Sequence, residues 1–174
     1  MRARSYRPRG CAVLAVSALA LTCATTALAS HPKPGRTYRG FTSAPKLEGF
    51  GAPVSFHVSA DGSKLLRFSY ASLGCFGAGG FRPGVSPFTG HSIIPVGTVS
   101  VTGNGHFAVT GARSGYAFSG SIHGTLTTTT NVTGRFASAG RATGTITFIQ
   151  TQHERNHKPF SCGPETLGFT AKVG

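Results

Sequence analysis

The sequence predicts an all-β chain, an antiparallel β-sandwich or flattened barrel of about nine short strands. Three observations lead there. Apolar and polar residues alternate with a period of two through most of the chain after Gly35. Gly-rich turns interrupt that alternation every eight to twelve residues or so, the spacing of sandwiches and barrels. Outside the leader, no window of eleven or so residues carries the i, i+3, i+4 pattern of an amphipathic helix.

The first residues are of a different kind. Arg2, Arg4, Arg7 and Arg9 precede an uncharged stretch from Ala12 to Leu21, and Ala27-Leu28-Ala29 supplies small residues where a signal peptidase reads. This order predicts a signal peptide over residues 1–29, a short Pro-containing leader over 30–35 and a single β domain over 36–174. Cleavage after Ala29 leaves a secreted or envelope-associated chain with no transmembrane segment. Two alternatives stay open: an uncleaved anchor, and a lipoprotein acylated at Cys23.

Val54, Phe56 and Val58 alternate with Ser55, His57 and Ser59. Asp61-Gly62 then marks a two-residue hairpin turn, after which Leu66, Phe68 and Tyr70 resume the alternation. Gly74 to Pro95 is rich in Gly and Pro and reads as a long irregular excursion. Val99 to Val101 and His106 to Thr110 flank Gly103-Asn104-Gly105 as a second hairpin. Further strands are expected around Tyr116–Ile122, at Leu126, at Phe136, over Ala142–Phe148 and over Gly168–Val173. The thirteen Phe, with no Trp, supply the core. Phe56, Phe68, Phe118 and Phe148 are expected inside, and Thr and Ser on the outward faces.

Of the seventeen Lys and Arg, four lie in the signal peptide; thirteen remain against four acids, about +9 for the mature chain. Such a charge attracts polyanions, including envelope polymers. The basic residues come singly, without the basic-aromatic interleaving of a stacking groove, so no specific nucleic-acid site is expected. Two cysteines, Cys75 and Cys162, stay in the mature chain. In an exported protein they predict one disulfide, with a pair of buried thiols as the alternative.

Several features of the mature chain resemble small secreted β-rich proteins of high-GC bacteria. They are the Gly35 to Thr42 segment, the hairpin from Val54 to Tyr70 with its Asp-Gly turn, the central Cys75, the Ala137 to Thr145 segment, and the late Cys162 followed by Phe169-Thr170-Ala171. The extra residue between Gly35 and Tyr38 and the His-rich stretch at 153–157 depart from that pattern. The resemblance implies a β fold with a disulfide and no activity.

One motif has the look of chemistry. His153-Glu154-Arg155-Asn156-His157 matches His-Glu-x-x-His, which on a helix sets both imidazoles on one face for zinc, with Glu as the general base. Its surroundings predict otherwise. A strand pattern runs up to Ile149, and Pro159 follows His157 by two residues, which leaves no room for a zinc-binding helix. Phe160 and Gly163 stand where the longer metzincin pattern needs Gly and His. His153 and His157 therefore stay weak metal candidates in a polar hairpin loop, and a zinc-dependent hydrolase is the alternative reading. His57, His106 and His123 fall on polar sides of strands, and His91 in the irregular middle. Glu48, Asp61, Glu154 and Glu165 are the only acids. They are too few and too scattered for a facing carboxylate pair or an oriented triad. The expectation is a non-catalytic domain without cofactor.

Overall fold

The computed structural model describes residues 30–44, 46, 51–72, 92–118, 124–155 and 158–174. The strands are β1 (Thr37–Thr42), β2 (Pro53–Val58), β3 (Lys64–Ser72), β4 (Ser92–Val101), β5 (His106–Phe118), β6 (Gly124–Ser138), β7 (Arg141–Glu154) and β8 (Phe160–Val173). Each pairs antiparallel with the next, and β8 returns to pair with β1, closing a flattened ring. Among the described residues no helix is long and apolar enough to cross a membrane.

An eight-stranded ring has an interior just wide enough for side chains to fill, and here aromatic rings fill it. Tyr38 stacks on Phe56 at 5.2 Å between ring centroids, and Phe56 on Phe68 at 5.4 Å. Phe136 meets Tyr38 edge-on at 5.4 Å and Phe107 at 5.5 Å. Val54, Val58, Leu65, Val99, Val132, Ile146 and Ala171 are among the aliphatic residues buried around them. Phe56, Phe68 and Phe148 are buried as the alternation requires; the side chain of Phe118 lies outside the described residues.

The strand count falls from nine to eight because two interruptions do not end a strand. Gly111, with φ at 68°, opens a bulge in β5 between Val109 and Ala112, and the strand continues to Phe118. Leu126 and Phe136 belong to one strand, since Thr128, Thr130 and Val132 keep the inward phase between them. β1 and the first half of β8 carry little apolar alternation and add to the ring through tertiary pairing. β4 begins at Ser92, so Pro95 is a strand residue opposite Ser69 rather than part of an irregular excursion.

Two further details correct the sequence reading of the first hairpin. Residues 59–63 form its turn; Gly62 has a positive φ of 74° and Asp61 does not. Asp61 instead accepts hydrogen bonds from the Ser59 hydroxyl (2.5 Å), the Ser63 amide (3.0 Å) and the Ser63 hydroxyl (2.7 Å). Leu65, not Leu66, then faces inward, and a bulge at Arg67 (φ 53°) resets the phase so that Phe68 and Tyr70 also point in.

The two ends of the ring differ. At one end the connections are the short turns 59–63, 102–105 and 139–140. Residues 30–35, the short leader of the sequence reading, lie across this end. Ser30 N donates to the Phe136 carbonyl, Gly35 N to that of Val58, and Tyr38 Oη to that of Ala139. At the other end the β1–β2 and β3–β4 connections, 43–52 and 73–91, are long, and 73–91 and 119–123 lie outside the described residues.

Candidate functional site

The His-Glu segment does not form a helix. His153 and Glu154 are the last residues of β7, paired across the ladder with Thr125 and Gly124, and Arg155 begins the turn toward β8. The shared face of residues four apart exists only on a helix. In a strand, side chains alternate between the two faces and residues four apart lie well separated along it. His153 is exposed on the outer wall. The motif thus straddles a strand end and a connection instead of lying wholly in a loop, and His157 lies outside the described residues. Among those residues no three of His, Cys, Asp and Glu come together in a way that could hold a metal ion.

The remaining candidates disperse. His57 sits on the outer side of β2, its Nδ1 3.2 Å from Thr37 Oγ1, and His106 is exposed on β5. His91, His123 and Glu48 lie outside the described residues. Cys162 is disulfide-bonded and stands opposite Gln150 in β8; Cys75 lies outside the described residues.

Toward the long-connection end, the aromatic filling gives way to polar groups. Thr42, Ser72, Thr128, Thr130 and Gln150 are all buried, which corrects the expectation that Thr and Ser would face outward throughout. Tyr70 Oη lies 3.0 Å from Thr130 Oγ1, and Gln150 Nε2 donates to Thr128 Oγ1 at 3.2 Å. Glu165 shares this interior, at the inward register position opposite Phe148. Burial pushes its carboxyl above the usual range and also pushes up the Tyr70 phenol, to which the Glu165 charge adds. Sequence reasoning missed this group. The clue was the alternation in β8, where Glu165, Leu167, Phe169 and Ala171 fall on one side.

The outer wall carries the rest of the polar chemistry. β6, β7 and β8 present rows of hydroxyls joined in pairs across the ladder: Thr133 with Thr145 at 2.9 Å, Thr147 with Thr166 at 3.0 Å and Thr151 with Ser161 at 2.9 Å. Near the short-turn end this hydroxyl surface meets cations. Arg39 of β1 stands opposite Lys172 of β8, and Lys172 opposite Arg141 of β7. All three are exposed. One strand further, Arg135 of β6 pairs with Thr143 on one side and His106 of β5 on the other. A shallow concavity of about 470 Å³ lies there, lined by His106, Arg135, Thr133, Thr143 and Thr145 among others.

No protein-family model, curated protein or solved structure matches the chain.

Proposed function

We propose that this chain is an exported, non-catalytic β domain that acts at the cell envelope by binding an anionic polymer on its outer wall. The observation that carries the reading is the division of labour between inside and outside. Side chains fill the ring, with Tyr38, Tyr70, Phe56, Phe68, Phe136 and Phe148 the largest of them. The wall offers hydroxyls and exposed cations, which suit reversible contact with a polyanion. Export rests on the leader sequence, and the pairing of Cys162 with Cys75 on the two cysteines of the mature chain.

The test uses secreted protein. N-terminal sequencing is expected to begin at Ser30, and non-reducing peptide mapping to join Cys75 to Cys162. The purified chain is expected to co-sediment with isolated envelope polymer at low salt and to release it as salt rises. Chelator and Glu154→Ala are expected to leave both binding and melting temperature unchanged. One tightly held zinc per chain, with peptide hydrolysis abolished by Glu154→Ala, would replace this reading with a metallohydrolase.

A further inference from the structure

We propose that Arg39, Lys172 and Arg141, continued by Arg135 and His106, form a binding track for a thin, flexible phosphodiester polymer of the polyol-phosphate kind. The proposal rests on the envelope-binding reading above and assigns it a site and a ligand class.

Register brings the track together. Arg141 and Lys172 lie on the two strands of the β7–β8 hairpin and Arg39 comes from β1, far earlier in the chain, yet β1, β8 and β7 lie side by side and align the three directly. Adjacent strands are about 4.8 Å apart, so the Cα atoms of the three basic residues span roughly 10 Å on one face. Like charges directly opposite one another in a ladder repel. A protein normally relieves such a row with carboxylates, and here the described acids are occupied elsewhere. Asp61 is held in the β2–β3 turn by Ser59 and Ser63, and Glu165 lies on the inward side of β8. Glu154 ends β7 at the opposite end of the strand from Arg141, and among the described residues no Asp or Glu occupies a register position next to this row. A polyanion supplies the missing counter-charge.

The neighbours of the row favour a polymer in which phosphates alternate with hydroxyl-bearing spacers. Ser55 stands opposite Arg39 on β2. Thr170 and Thr143 are paired in the next outward row. The concavity beside Arg135 and His106 continues the track with the Thr133–Thr145 hydroxyl pair. Nucleic acid fits less well. Single strands bind by base stacking on aromatic side chains, and among the described side chains Phe41 is the one large exposed aromatic on these strands. Duplex recognition places a helix or β-ribbon in a groove, whereas the track lies flat on the wall of a closed ring.

The experiment measures binding of the purified mature chain to poly(glycerol phosphate) by calorimetry or fluorescence between about 20 and 200 mM NaCl. Parallel titrations use oligothymidylate and inorganic phosphate. Each phosphate neutralised contributes roughly 0.7–0.9 to the slope of log K against log salt, so three or four contacts predict a slope of about −2 to −3.5. The variant Arg39→Gln/Lys172→Gln/Arg141→Gln is expected to bind at least tenfold more weakly at low salt and to lose about two units of slope. Lys64→Gln/Lys158→Gln/Arg113→Gln removes the same charge elsewhere and is expected to change affinity less than threefold. Melting in low salt should leave the row variant as stable as the native chain or more so, because repulsion is removed; if it does not fold, Lys172→Gln alone carries the test. Equal losses in the two triple variants would overturn the track while leaving net-charge binding to the envelope intact. Absence of polymer binding by the native chain would overturn both readings. Tighter binding of oligothymidylate than of poly(glycerol phosphate) would reassign the surface to nucleic acid and overturn the proposal.

Discussion

Phe169 covers Gly144. The two are direct partners across the β7–β8 ladder, and a Cβ placed on Gly144 would stand 2.7 Å from the Phe169 ring and 2.3 Å from the Thr133 carbonyl oxygen. Gly134, one strand over and opposite Gly144, stands in the same relation to Phe107, whose ring would lie 2.4 Å from an added Cβ. Aromatic rings laid over cross-strand glycines let two large side chains occupy a narrow interior, the device by which curved sheets cover their glycines.

Gly144→Ala is therefore expected to destabilise the fold, by about 1–3 kcal/mol from overpacking. Backbone atoms on β6 limit relaxation, so the loss should persist in part when Phe169 is replaced by Leu. Urea unfolding of the two single variants and the double variant measures it. An unchanged midpoint in Gly144→Ala would show that the sheet yields freely at this point.

Phe56 sits between Tyr38 and Phe68 in the stack and is 1 % exposed. Phe56→Ala removes both stacking contacts and leaves a cavity in the middle of the ring, a change that costs about 3–5 kcal/mol at enclosed positions. The same substitution at exposed Phe41 should cost far less. Chemical denaturation of both variants tests the contrast.

Glu165 has a folded-state carboxyl pushed upward by burial. Such a group binds its proton more tightly when folded, so its contribution to stability is lost as pH rises from the ordinary carboxylate range toward the raised value. Glu165→Gln is expected to raise the melting temperature at neutral pH and to change little near pH 4 or below. A variant less stable than the native chain at pH 7 would mean that the carboxylate is held by a partner.

Asp61 is shifted the opposite way. The Ser59 hydroxyl, the Ser63 amide and the Ser63 hydroxyl all donate to its carboxylate and hold its pKa well below the usual range. Its contribution is present above the unfolded value and is lost as pH falls toward the lowered one. Asp61→Asn should lower stability at neutral pH, with the gap to the native chain closing in strong acid. Paired melts across that pH range check the sign.

The β class, the two hairpins and the inward Phe residues were legible in the chain because a half-buried strand writes its burial as alternation. Val54-x-Phe56-x-Val58 needs no partner to be read. Two kinds of residue escaped. The bulges at Arg67 and Gly111 shift or carry the phase without changing composition, which hid Leu65 and divided β5. Inward polar residues such as Thr128, Thr130, Gln150 and Glu165 carry the letters of an outer face.

The sequence by itself determined a chain of alternating strands with a Phe core, a strongly positive balance and a proline placed too soon after His157 for a zinc helix. It took the packed fold to join the eight described strands into a ring by pairing β8 with β1. That closure sets Arg39, Lys172 and Arg141 in one row and turns Glu165 inward beneath Tyr70. The reason is physical: alternation is a local property of one strand, while register is fixed by partners more than a hundred residues away, as Tyr38 and Val173 are.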